Sequence, residues 1–123
     1  MNAQPEHALQ VAVVQYLEVS LPKSVLFTSS LAGVKLTRGQ AGRAAAAGLR
    51  PGWPDLQFLF PDGVTRYIEL KAPRGVLSDN QKAFHAAAST HDIARVCRSV
   101  DEVHETLKFW CEPLGLHLRS RFM

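Results

Sequence analysis

The chain has 123 residues and 46% hydrophobic composition, which is enough for one domain with a real core and too apolar for a disordered segment. A formal charge of +3 and an isoelectric point near 9.1 tilt the surface toward polyanions without the density of a histone-like tail, so charge permits a nucleic-acid partner but does not demand one. No apolar run reaches the roughly 18 residues of a membrane span, MNAQPEHALQ lacks a signal-peptide pattern, and Cys97 and Cys111 read as free thiols, so a cytoplasmic protein is expected.

In chain order, Leu9, Val13, Tyr16 and Leu17 recur at helical spacing and predict a first helix from Glu6 to Ser20, closed by Pro22. SVLFT at 24–28 is an apolar run suited to a buried strand. A glycine-rich connection follows, with a helix expected over Arg38–Ala47 and ended by Gly48. DLQFLF at 55–60 and VTRYIELK at 64–71 alternate with a two-residue period. Between them PDG places Gly63 where a three-residue hairpin loop wants a left-handed residue. Ser78 to Gln81 has the S-x-x-Q form of a capping box and opens a helix running to about His91. After an apolar strand from Ile93 to Cys97, Ser99 to Glu102 forms a second box, S-x-x-E, for a helix carrying Val103, Leu107 and Trp110. Residues 1–112 read as one domain and 113–123 as a basic tail. Strands flanked by helices in this order imply an α/β architecture with a three-layer mixed sheet.

The hairpin carries the chemistry. If Phe60 and Val64 flank its loop, Leu59 faces Thr65, Gln57 faces Tyr67, and Asp55 faces Glu69. Two carboxylates with Cβ atoms roughly 5 Å apart across a ladder repel each other unless something positive lies between them. Oxygen ligands at that spacing suit Mg²⁺ or Mn²⁺. Lys71 falls on the same face as Glu69, Pro54 fixes the backbone entering the strand, and Gly52 allows close approach beside it. On the first helix Glu6 heads the inward stripe of Leu9, Gln10, Val13 and Leu17, while Glu18 lies on another face. Each residue alone has a plainer role. E-x-K on a strand is more often a solvated ion-paired face than a catalytic one, Asp55 suits a turn, Glu6 complements a helix N-terminus, and Gln81 completes its capping box. A metal site accounts for the Asp, Glu and Lys together. The histidines and cysteines show no recognised zinc spacing, and His85 and Cys97 read as packing residues.

GWPDLQF followed by YIELKAPRGVLSDNQ resembles the signature of the VRR-NUC domain, a branch of the PD-(D/E)XK nuclease superfamily, with EHALQ, AAGLRPG and RSVDEV extending the likeness from about Glu6 to Trp110. The resemblance implies a single-domain PD-(D/E)XK, restriction-endonuclease-like fold with an αβββαβ core. It implies that Asp55, Glu69 and the main-chain carbonyl of Leu70 bind Mg²⁺ or Mn²⁺, with Glu6 near the metals and Gln81 in a helix behind the site. Lys71 would act on the attacking water, either positioning it or stabilising the phosphorane oxygens, and would serve as a base only with a strongly depressed pKa. Standalone copies of this domain are similar to small phage or bacterial proteins that dimerise and cut branched DNA such as four-way junctions. A homodimer acting on branched DNA, in the cytoplasm of a bacterial or phage-infected cell, with no membrane association and no small-molecule cofactor, is therefore expected. The competing expectations are a non-catalytic DNA-binding or assembly module on the same fold, and a nuclease of flaps or ends. Lys35, Arg38, Arg43, Arg50, Arg74 and Lys82 bracket the acidic hairpin and are the candidate phosphate contacts. Trp53 offers a stacking ring, with packing as its plainer role.

Overall fold

The computed structural model describes residues 5–30 and 35–119. Its elements are helix α1 (Pro5–Ser20), strand β1 (Leu26–Ser29), helix α2 (Arg38–Ala46), strands β2 (Leu56–Leu59) and β3 (Thr65–Leu70), helix α3 (Asp79–Ala88), strand β4 (Ala94–Cys97) and helix α4 (Val100–Cys111). The four strands form one mixed sheet in the order β1-β2-β3-β4, antiparallel except for the last pair. This is the αβββαβ order predicted above, with α2 inserted between β1 and β2.

Period-two alternation sorts the sheet into two faces. One face carries Leu56, Phe58, Ile68 and Leu70, all fully buried, against Val13 and Leu17 of α1 and Val103 and Leu107 of α4. Removing these side chains from water supplies most of the stabilisation, at about 1.5–3 kcal/mol for each large one. The other face carries Leu59, Tyr67, Glu69 and Lys71. Helix α3 covers part of it, with the Phe84 ring edge-on to Tyr67 at 5.2 Å.

The hairpin closes as the sequence predicts. Phe60 N–H donates to the Val64 carbonyl, Gly63 N–H donates back to the Phe60 carbonyl, and Gly63 adopts φ +82°. Pairing is Leu59 with Thr65 and Gln57 with Tyr67, the expected register. Ser78 and Gln81 form the expected reciprocal capping box at α3. Thr37 and Gln40 form another at α2, from a T-x-x-Q signature in the sequence.

Three expectations are corrected, while the helix of the glycine-rich connection forms where expected. The first strand begins at Leu26, because Val25 N–H is taken by the Pro22 carbonyl in a turn, and it lies at the sheet edge, where Leu26 is 63% exposed. That helix, α2, buries none of its side chains. At α4 Ser99 accepts from Glu102 N–H, but the Glu102 carboxylate accepts from Arg98 N–H at 2.6 Å, so the second box is not reciprocal. Beyond Pro113 the chain does not trail free: Leu114, Leu116 and Leu118 pack against the core, and Arg119 N–H donates to the Ser20 carbonyl at 2.7 Å.

Candidate active site

Asp55 stands immediately before β2, where the sheet geometry still holds: Ser30 N–H donates to the Asp55 carbonyl at 2.8 Å, continuing the β1–β2 ladder by one pair. Its side chain turns inward, and Oδ2 accepts the Leu70 N–H at 2.7 Å. Across the hairpin Glu69 is 1% exposed, with Asp55 and Lys71 also buried beside it. Glu69 Oε2 accepts from the Gln81 side-chain amide at 3.1 Å, while Oε1 is buried without a hydrogen-bond partner among the described residues.

Burial raises the Glu69 carboxyl pKa from an ordinary 4.5 to about 9. The adjacent Asp55 carboxylate adds to that rise, Lys71 opposes it, and Glu6 contributes weakly in the same direction as Asp55.

Leu70 adds a third oxygen, for a reason that lies in the ladder. Odd-numbered residues of β3 turn their main-chain groups toward β4, as Tyr67 and Lys71 N–H donate to the Ile93 and Cys97 carbonyls. Leu70 therefore faces the other way, toward the β2 side of the ladder, where its N–H meets Asp55 Oδ2. The observed β2–β3 pairing ends at Leu56 with Ile68, and extended by two residues it would bring Pro54 opposite Leu70. Proline has no N–H, so no ladder donor meets that carbonyl. Asp55 and Glu69, with the Leu70 carbonyl, are the hard oxygens that would hold a Mg²⁺ or Mn²⁺ ion keeping several waters. Among the described residues no three carboxylate, imidazole or thiol side chains gather as a metal cage, so the acidic pair carries the site and Glu6 stands apart from it.

Glu6 sits at the rim. It is exposed on the first turn of α1, and its Oε2 approaches Ala72 N–H at 3.4 Å just beyond β3. Gly75 packs tightly there: an added Cβ would fall 2.9 Å from Glu6 Oε2 and 3.4 Å from Lys71 Cδ. Gln81 fills both roles that the sequence suggests. Its amide oxygen accepts from Ser78 N–H at 2.8 Å while its amide nitrogen serves Glu69, so the helix cap orients the donor. Gly52, at φ +92°, lies so close to α3 that a Cβ would meet the Asn80 main chain at 2.6 Å.

Lys35, Arg38, Arg43, Arg50, Arg74 and Lys82 are all exposed. Arg50 is engaged locally, donating to the Ala45 and Leu49 carbonyls at the end of α2. Trp53 packs edge-on against Phe84 at 4.8 Å and remains 43% exposed.

The model of the VRR-NUC domain matches residues 4–101, well over half of the chain and all of this site. The chain belongs to the VRR-NUC family. Two solved structures share its fold. One, described as a VRR_NUC domain protein, has a TM-score of 0.65 at 16% identity and covers 91% of this chain and 92% of its own. The other, described as a VRR_NUC domain, has a TM-score of 0.56 at 20% identity and covers 88% and 99%. No curated protein matches the sequence. VRR-NUC is a nuclease-type family, and this member has its α/β nuclease fold. Among the described residues of this VRR-NUC chain, no helix is long and apolar enough to cross a membrane.

Proposed function

We propose that the chain is a divalent-metal-dependent deoxyribonuclease that hydrolyses phosphodiesters in branched DNA such as four-way junctions, working as a homodimer with Mg²⁺ or Mn²⁺. The observation that carries the reading is the burial of Asp55, Glu69 and Lys71 together, with Asp55 Oδ2 on the Leu70 N–H next to Glu69, a closeness costly for two free anions and favourable around a cation.

Asp55, Glu69 and the Leu70 carbonyl would hold the ion, and Gln81 keeps the Glu69 carboxylate turned toward it. A divalent ion there supplies a coordinated water of lowered pKa and neutralises charge on the phosphate. Lys71, on the face of Glu69, orients that water or balances the phosphorane oxygens. Glu6, at the rim beside the turn after β3, would act only as a more distant charge near the leaving oxygen. The exposed cations of the α2 connection, with Arg74 and Lys82, grip backbone phosphates rather than bases, which favours shape over sequence and makes binding salt-dependent.

The test is a panel of labelled four-way junction, flap and duplex DNA incubated with the protein and Mg²⁺ or Mn²⁺. Metal-dependent cleavage, strongest on the junction and abolished in Glu69→Ala and Lys71→Ala, is expected. Failure to cut any substrate, or equal cutting by the variants, refutes the reading. Sedimentation tests the dimer, and a monomer both free and on DNA would leave only single-strand incision.

A further inference from the structure

We propose that Arg98 is a positioning residue for this site, acting through the turn that follows Lys71. The inference rests on the nuclease reading above but names a residue which that reading does not use.

Residues 72–75 leave the end of β3 in a tight turn closed by Gly75 N–H donating to the Ala72 carbonyl at 2.9 Å. The turn joins two parts of the candidate machinery. Its Ala72 N–H faces Glu6 Oε2, and Gly75 leaves no room for a side chain between that carboxylate and the stem of Lys71. If the turn shifts, the lysine and the glutamate lose a common wall.

Arg98 follows β4 directly and is the next residue along from Cys97, which pairs with Leu70. Its Nη1 donates to the Ala72 and Gly75 carbonyls, each at 2.7 Å, with the Pro73 carbonyl at 3.5 Å. One nitrogen thus ties both ends of the turn to the sheet. Among the described residues the guanidinium has no carboxylate partner, so its charge is committed to carbonyl oxygens. Its own main chain is held in turn, since Arg98 N–H donates to Glu102 on α4. A planar, always-charged group with several donors in fixed geometry suits this task better than a flexible ammonium. The chain is thereby braced from β4 and α4 to the turn, and from the turn to Lys71 and Glu6.

The experiment compares wild type, Arg98→Ala and Arg98→Lys, with Lys108→Ala as a control that removes the same charge from the exposed face of α4. Amide exchange at Gly75 reads the turn directly, and in Arg98→Ala it should quicken by roughly tenfold or more as the anchoring bonds are lost. With saturating Mn²⁺, kcat on labelled DNA should fall about 10- to 100-fold while KM stays within about threefold, since misplacement by an ångström acts on the chemical step. Arg98→Lys should recover part of kcat, and Lys108→Ala should match wild type. Unchanged Gly75 exchange overturns the proposal, as does faster exchange with unchanged kcat. A raised KM with a salt slope reduced by about one also overturns it, because that pattern marks a phosphate contact. Should Arg98→Ala fail to fold, Arg98→Lys is measured by the same criteria. If wild type cuts no DNA, the nuclease reading falls, and Gly75 exchange alone decides whether Arg98 holds the turn.

Discussion

Replacing Glu69 by Gln should stabilise the metal-free protein while removing its response to metal. With a folded pKa of about 9 against an ordinary 4.5, the wild-type carboxyl is protonated at pH 7 in the fold and ionised in the unfolded chain. Holding that proton costs about 1.4 kcal/mol for each of the roughly 2.5 pH units between 4.5 and 7, or about 3 kcal/mol. Gln mimics the protonated acid: its oxygen can accept from Gln81 and its amide can donate to Asp55, without the linkage cost. A gain of about 3 kcal/mol corresponds to about 10 °C in Tm for a domain of this size. The sign follows from linkage. A raised folded pKa contributes stability that is present in full below pH 4.5 and lost progressively up to about pH 9, so the wild type should fall away from Glu69→Gln across that window. Urea melts in EDTA from pH 4 to 9 measure the difference. Adding Mn²⁺ should raise the wild-type midpoint and leave the variant unmoved. A variant less stable than wild type at pH 7 in EDTA, or a stability difference that is flat with pH, would refute the claim that the acidic pair is strained without a cation.

Pro54→Ala restores an N–H opposite the Leu70 carbonyl, and calorimetric Mn²⁺ affinity should weaken about fivefold as that hydrogen bond competes with the ion. Gly52→Ala combines positive φ with a 2.6 Å encounter at the Asn80 main chain and should cost about 2–4 kcal/mol in thermal denaturation. Gln81→Ala removes a cap and the Glu69 donor together, with an expected loss of about 1–3 kcal/mol by urea titration and a weaker Mn²⁺ isotherm.

The sequence alone settled the acidic hairpin. Its register follows from one glycine-containing loop and from alternation, both local, so the pairing of Leu59 with Thr65 and of Gln57 with Tyr67 could be drawn without any tertiary information. Gln81 was legible as a cap for the same reason, since its partner Ser78 is three residues away. Tertiary structure decided everything that depended on distant chain segments meeting. The edge position of β1, the approach of Glu6 to Ala72, the reach of Gln81 to Glu69 and the hold of Arg98 on the 72–75 turn join residues whose spacing carries no periodic signal. Hydrophobic patterning states which face of an element is buried, but not which neighbour buries it. Local hydrogen bonds and turn geometry are encoded residue by residue, whereas the packing that brings a loop, a helix end and a guanidinium to one point is set by the shape of the whole core.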